Sequence, residues 1–417
     1  MTAQAIGKVP EIRFEEFKDV WQEKVLGELF PITSAARVHK NEWRESGVPF
    51  FRSSDVVSSF KGDENKKAFI SHELYEELSA KVGRVRNGDM LVTGGGSIGI
   101  PYLVKTDEPL YFKDADLLWF KIREAVDSHF IYTFLCSQPF RRYLKNISHI
   151  GTIAHYTVEQ AKGTPVTLPS DFTEQTQISE YFRELDSLLG LHQRKHDKLM
   201  TLKKAMLQKM FPQAGATTPE IRFKGFSGKW VKTILKTAAD ITTGFSFKSS
   251  DFNDSGTYLV VTNGNIQNEL SFVDGTSGNR LSTKNLERLK QFVLRLGDIL
   301  VTMDGSVGRT AKVRETNQIL AQRVGRLVAK LDSEFLYQVL NTGTFLEVMT
   351  TISHGGTIKH ISLTEIGEYD FFTPYEGEEQ KKIGTYFRTL DTLITKHATQ
   401  LQKLKQLKSA CLEKMFV

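Results

Sequence analysis

Pro10-Glu11-Ile12-Arg13-Phe14, followed by Phe17 and Trp21, returns as Pro219-Glu220-Ile221-Arg222-Phe223, followed by Phe226 and Trp230, at an offset of 209 residues. The same offset carries Arg86-Asn87-Gly88-Asp89-Met90-Leu91-Val92-Thr93 onto Arg295-Leu296-Gly297-Asp298-Ile299-Leu300-Val301-Thr302. Further on, Ile147-Ser148-His149 and Gly151-Thr152-Ile153 with His155 correspond to Ile352-Ser353-His354, Gly356-Thr357-Ile358 and His360, now 205 residues apart. The second copy has lost a net four residues in between. The copies end alike too, Tyr181 to Asp186 matching Tyr386 to Asp391 and Lys209-Met210-Phe211 matching Lys414-Met415-Phe416. Matched blocks in one order at one period mark a tandem duplication. Between the blocks the halves diverge, as one frame carrying two different surfaces would.

From about Thr173 to Phe211 the apolar residues Ile178, Phe182, Leu185 and Leu189 recur every three or four positions, continuing to Met210 with one gap. Ile383, Phe387, Leu390 and Ile394 begin the same pattern between about Glu376 and Phe416. This period predicts two amphipathic helices, each about 55 Å long at the usual rise per residue. A small domain cannot cover so long a stripe alone, so the pattern predicts that the two pair as a coiled coil, antiparallel if a pseudo-twofold axis relates the halves. His192 and His397 fall in that seam near the helix midpoints, with His196 one turn on. They read as a polar layer fixing register, since no Cys or carboxylate cluster stands by to complete a metal site. The interiors, about 14–170 and 224–375, read as mixed strands and short helices, and 212–229 as a linker.

At 417 residues the chain has room for two or three domains. No run of about 18 apolar residues is present to span a bilayer. Met1 to Pro10 has no apolar stretch for a signal peptide, and Cys136 and Cys411 are the only cysteines, so a cytosolic protein with free thiols is expected. The formal charge of +6 favours a polyanionic partner, weakly when taken alone.

Gly94-Gly95-Gly96-Ser97-Ile98-Gly99 formally fits the dinucleotide fingerprint. Its counterpart, Met303-Asp304-Gly305-Ser306-Val307-Gly308, keeps only Gly-Ser-x-Gly, and Pro101 stands where a helix should begin. Two readings remain: a tight turn between strands, or a loop whose bare backbone comes close to a DNA strand through Gly96, Ser97, Asp304, Ser306 and Arg309. Arg52-Ser53-Ser54-Asp55 and Thr262-Asn263-Gly264-Asn265 follow predicted strands and carry groups able to meet base edges. Solvated turns are the alternative. Arg323 and Arg326, with Lys113 at the place equated to Gln322, are either phosphate contacts or exposed charges. Thr152, His155, Thr357 and His360 sit in loops before each long helix and either approach DNA or buttress the junction of helix and domain.

The sequence has no Gly-x-x-x-x-Gly-Lys-Ser/Thr phosphate loop, no Pro-Pro pair and no zinc-type Cys/His spacing. Glu379-Gln380-Lys381 lacks a preceding Pro-Asp, and its counterpart Glu174-Gln175-Thr176 lacks the lysine. No catalytic apparatus or metal site is expected in this chain. A free-standing DNA-binding regulator, a dinucleotide-dependent enzyme and a coiled-coil scaffold are the rival classes.

In this arrangement the chain is similar to the specificity (S) subunit of type I restriction–modification enzymes, over nearly its whole length. The likeness rests on the Pro-Glu-Ile-Arg-Phe…Trp openings, the Gly-Asp…Leu-Val-Thr…Gly-Ser-x-Gly strand and turn, and the Gly-Thr-Ile-x-His loops. The Glu-Gln-x-x-Ile…Tyr-Phe-Arg-x-Leu-Asp helix starts complete it. The resemblance implies an α+β protein with two pseudo-twofold-related mixed α/β target-recognition domains separated by a long antiparallel two-helix coiled coil. Its expected domains are recognition domain 1 at 1–172 with an N-terminal extension 1–13, a central helix 173–211, a linker 212–229, recognition domain 2 at 230–375 and a distal helix 376–417. It implies a non-catalytic subunit of a site-specific DNA adenine methyltransferase and ATP-dependent endonuclease. Each domain would read one half of an asymmetric bipartite DNA target, with half-sites about 10 base pairs apart between centres. The helices would set the spacer and dock two methyltransferase subunits. No cofactor is expected in this chain: S-adenosylmethionine belongs to the methyltransferase subunits, and ATP and Mg2+ to restriction subunits. Expected partners are double-stranded DNA and those subunits, with no membrane, in a bacterial or archaeal cytoplasm.

Overall fold

The computed structural model describes residues 9–123, 126–147, 155–267, 270–282 and 286–417. The chain divides into two compact units, one of residues up to Leu191 with Gln400–Val417, the other His192–Thr399.

In the first unit the strand Met90–Thr93 is buried on both faces. The two-residue period of a strand sends Met90 and Val92 into a core with Phe120, Phe130 and Phe134, and Leu91 into another with Phe112 and Trp119. Its neighbours Leu117–Phe120 and Pro101–Leu103 pair antiparallel, and Ile32–Thr33 completes a four-stranded sheet. A second sheet holds Val48–Phe51 between Ala68–Ile70, antiparallel, and Tyr111–Phe112, parallel. Gln22–Val25 and Pro165–Leu168 form a two-stranded ribbon.

The second unit repeats this plan. Ile299–Thr302 lies between Val324–Ala329 and Thr310–Lys312, with Ala239–Thr243 at the edge. Tyr258–Val261 lies between Arg280–Leu281, antiparallel, and Gln318–Leu320, parallel. Val231–Ile234 pairs with Asp370–Thr373. The parallel pairs fix the equivalence of the halves, since Phe112 stands beside Phe51 as Leu320 stands beside Val261.

The two long helices are Phe172–Lys209 and Gly377–Lys414, of 38 residues each. In the first unit the start of the central helix runs antiparallel to the end of the distal one. Asp186 pairs with Lys408, the Tyr181 hydroxyl lies 3.5 Å from Cys411 Sγ, and the rings of Phe182 and Phe416 are 6.1 Å apart. In the second unit the roles exchange: Lys203 Nζ meets Asp391 Oδ1 at 2.6 Å and the Phe211 ring lies 5.9 Å from Phe387. Burial along the predicted seam is uneven. Ile178, Phe182 and Leu185 are buried in the first unit's core, and Ile383, Phe387 and Leu390 in the second's, whereas Leu189, His192, Ile394 and His397 are half-buried. The domain cores therefore cover each helix start together with the other helix's end. The repeated Lys-Met-Phe has a matching explanation: Phe416 packs on Trp21, Phe130 and Phe182, and Phe211 on Trp230, Phe335 and Phe387. Each such phenylalanine contributes about 1.5–3 kcal/mol of apolar burial. Among the described residues no helix is long and apolar enough to cross a membrane.

Candidate nucleic-acid interface

The Gly-Ser-x-Gly motif closes a hairpin. The Thr93 hydroxyl donates to the Ser97 carbonyl and accepts from the Ile100 N–H at 2.8 Å; Thr302 treats Ser306 and Arg309 in the same way. Gly99 and Gly308 have φ of 71° and 77° and press on the helices Gln138–Ile147 and Thr344–Ile352, so a side chain is excluded twice over. Gly96 and Gly305 also have positive φ but face open space, beside exposed Ser97 and Ser306. A strand, Pro101–Leu103, follows the turn where a dinucleotide site needs a helix, which removes that reading.

The segments at His155 and His360, which lead into the short helices Val158–Lys162 and Leu363–Gly367 and not directly into the long ones, are laid against this turn. Tyr156 N–H donates to the Gly94 carbonyl and Ile361 N–H to that of Met303, and His155 and His360 bridge to Gly95 and Asp304. The imidazoles are thus brought to the exposed tip of the turn. Thr152 lies outside the described residues, and Thr357 is exposed.

The two strand-end segments begin helical turns. Arg52 N–H donates to Asp55 Oδ2 at 2.8 Å and Thr262 N–H to Asn265 Oδ1 at 3.0 Å, equivalent caps three residues apart. Asn265 is buried, with its amide donating to the Asp274 and Ser277 carbonyls, so it presents no edge outward. The Arg52 fork is closed on Asp55 and lies 5.7 Å above the Trp43 ring. Ser53 donates to the Asp116 carbonyl at 2.9 Å and Ser54 accepts from Asn65. Thr262 and Ser54 remain exposed and Asn263 half-buried. A carboxylate or amide three residues after a strand end was the available sign of a cap.

Strand register corrects one equivalence. Lys113 N–H donates to the Phe51 carbonyl as Ala321 N–H does to that of Val261, so Lys113 corresponds to Ala321 and not to Gln322. Gly94 N–H donates to the Asp116 carbonyl and Met303 N–H to that of Arg323, which equates Asp116 with Arg323. At one place in the shared frame, then, the first unit carries Gly95, Asp116 and Lys113, with Lys113 Nζ 2.6 Å from Asp116. The second carries Asp304 and Arg323, paired at 2.9 Å. The acid Asp116 is thus replaced by the base Arg323, while Lys113 and Asp304 have the neutral counterparts Ala321 and Gly95. Arg326, by contrast, is buried and pairs with Asp298 at 2.7 Å, so it is neither an exposed charge nor a phosphate contact.

Other repeated residues hold the frame. Asp89 accepts from the Arg86 N–H and from Trp119 Nε1 at 2.9 Å; burial pushes its carboxyl above the usual range, against those donors. Asp298 caps Arg295 likewise, with Arg326 in place of the indole. Glu174 receives a two-pronged bond from Arg13 at 2.6 and 2.8 Å plus Trp21 Nε1 at 3.1 Å; Glu379 receives Arg222 at 2.6 and 2.7 Å. These acids sit in the first turns of the long helices, where negative charge is favoured. Residues 212–229 thus carry a clamp and not only a connection. Among the described residues, no group of three or more His, Cys, Asp or Glu is placed to hold a metal ion.

The family model described as "Type I restriction modification DNA specificity domain" matches twice, at residues 18–201 and 228–406. The chain is 26% identical over 292 residues to the specificity subunit of the type I restriction enzyme MjaVIII from Methanocaldococcus jannaschii, covering 66% of this chain and 67% of that protein. It is 26% identical over 165 residues, 39% of this chain and 40% of the other, to a putative type I restriction enzyme specificity subunit from Haemophilus influenzae. The fold matches the crystal structure of the S subunit of a type I restriction–modification system from M. genitalium, with a TM-score of 0.68 and 16% identity over 98% of this chain and 99% of that one.

Proposed function

The chain belongs to the type I restriction modification DNA specificity family, and from that premise we propose that its two recognition domains read two unlike halves of one DNA target while other chains do the chemistry. The observation that carries this reading is the change of charge at equivalent places of a repeated frame. The hairpin, its Thr–Ser clamp and the adjoining His loop recur in both units, yet Gly95, Lys113 and Asp116 give way to Asp304, Ala321 and Arg323. Base edges are distinguished by donors, acceptors and charge presented at a fixed place. Two copies that keep the place and alter the groups are suited to an asymmetric, bipartite target.

Methyltransferase subunits, docked on the long helices and domains, would bring S-adenosylmethionine, and restriction subunits would bring ATP and Mg2+. The spacer between half-sites would follow from the helices. The decisive experiment is to coexpress the chain with a cognate methyltransferase subunit and map methylated adenines across a genome. A split motif whose one half alone changes when residues 230–375 are exchanged for another recognition domain is expected. Absence of any split motif, or an exchange that leaves both halves unchanged, overturns the reading.

A further inference from the structure

Arg323 is held in a backbone conformation that a long side chain rarely adopts, φ +70°, between the strands Gln318–Leu320 and Val324–Ala329. Such a conformation persists only where the surroundings impose it, and the corresponding connection of the first unit likewise holds Ala115 at φ +61°. Here the imposition is visible: the Arg323 carbonyl accepts from Met303 N–H at 3.2 Å and its Nη1 donates to Asp304 Oδ2 at 2.9 Å. Asp304 is itself mostly buried and stands 3.9 Å from His360 Nδ1, whereas the Arg323 side chain is 60% exposed. Among the described residues, the guanidinium makes this one side-chain hydrogen bond, which leaves the rest of its fork free.

We infer that Arg323 reads a guanine in the major groove of the half-site bound by the second recognition domain, with Asp304 as the residue that aims it. This rests on the functional reading above and adds a residue and a base to it. A guanidinium offers two parallel donors that match O6 and N7 of guanine. A carboxylate fixing one nitrogen sets the plane of that fork in advance. The same carboxylate makes the pair a poor phosphate ligand, since a polyanion attracts an uncompensated charge and is repelled by Asp304. The neighbouring copy has Asp116 at this place and a glycine at the position of Asp304, so the first half-site is met by a different group.

The test uses the chain coexpressed with its methyltransferase subunit, comparing methylation maps of the wild type, Arg323→Ala, Arg323→Gly and Asp304→Asn. Glycine suits the positive φ, so Arg323→Gly removes the side chain while easing the backbone and keeps the test valid should the alanine variant fold poorly. The expected result is that one guanine position in the half-site assigned to residues 230–375 loses its base preference about 10- to 100-fold. The other half-site stays unchanged, and Asp304→Asn gives an intermediate loss. A uniform fall in methylation at all sites, with every base preference kept, would mark a phosphate contact and overturn the inference. So would a half-site without guanine. A wild-type map lacking any bipartite motif overturns the functional reading itself and this inference with it.

Discussion

Lys203 and Asp391 join the two long helices within the second unit at 2.6 Å, and the repeat places Lys408 against Asp186 in the first. The two pairs are equivalent in sequence and unequal in environment. Asp391 is 4% exposed and also accepts from Gln338 Nε2 at 3.1 Å, while Asp186 is 46% exposed. Removing Lys203 strands a buried carboxylate, so Lys203→Ala is expected to cost about 3–5 kcal/mol. Lys408→Ala is expected to cost under about 1 kcal/mol. Denaturant unfolding of the two single variants checks the contrast, and equal losses would count against it.

The clamps at the helix starts differ by one donor. Trp21 Nε1 bonds to Glu174, whereas Trp230 Nε1 is buried and has no hydrogen-bond partner among the described residues. Trp21→Phe therefore deletes a hydrogen bond to a charged acceptor and Trp230→Phe does not. The first is expected to be about 1–3 kcal/mol more destabilising than the second, read from paired melting curves. Arg13→Lys and Arg222→Lys should both destabilise, since lysine cannot supply the two-pronged geometry.

What could be read in the sequence was what the fold buries. Arg13, Glu174, Thr93, Gly99 and their counterparts recur because each closes an internal contact, and the helices show because a three-to-four spacing has one physical cause. The loops at the strand ends were less legible. Asp55 and Asn265 share hydrogen-bonding chemistry with base readers but are spent on caps. A constant offset equates Lys113 with Gln322, but the connection is one residue shorter in the second copy: residues 113–116 join strands in one unit and 321–323 in the other. Arg326 looked like a surface charge because its partner, Asp298, lies on another stretch of sequence.

His192 Nδ1 lies 2.8 Å from His397 Nδ1, a contact that needs at least one neutral ring. Burial, and then His192, Lys195, Lys396 and His196, hold the His397 imidazole below its ordinary pKa. A histidine whose folded pKa is lowered binds protons more readily when unfolded. Its contribution is therefore present above about pH 6.5 and is lost as pH falls from there through the lowered folded value. Melting temperature followed from pH 8 to pH 5 should drop more steeply in the wild type than in the His192→Leu/His397→Leu double variant. That variant should be at least as stable at pH 7, with looser register. A parallel pH profile in both proteins, or a large loss at pH 7, would contradict this.

Gly96 and Gly99 belong to one turn and share a φ of 71°, yet they should respond oppositely to alanine. A β-carbon on Gly99 would stand 2.2 Å from Leu144 Cδ1 and 3.1 Å from Phe140 Cε1. Strain and overpacking together are expected to cost about 2–5 kcal/mol. At Gly96 the same carbon meets nothing within 4 Å, leaving only the backbone term of about 1–2 kcal/mol. If this bare tip is where backbone comes close to DNA, Gly96→Ala should lower methylation of the wild-type target in the assembled enzyme by more than its small loss of stability explains. The loss should also grow with side-chain size at that position. Methylation equal to wild type across a size series at Gly96 would place the DNA elsewhere, and binding of a dinucleotide lost in Gly96→Ala would revive the reading that the strand Pro101–Leu103 removed.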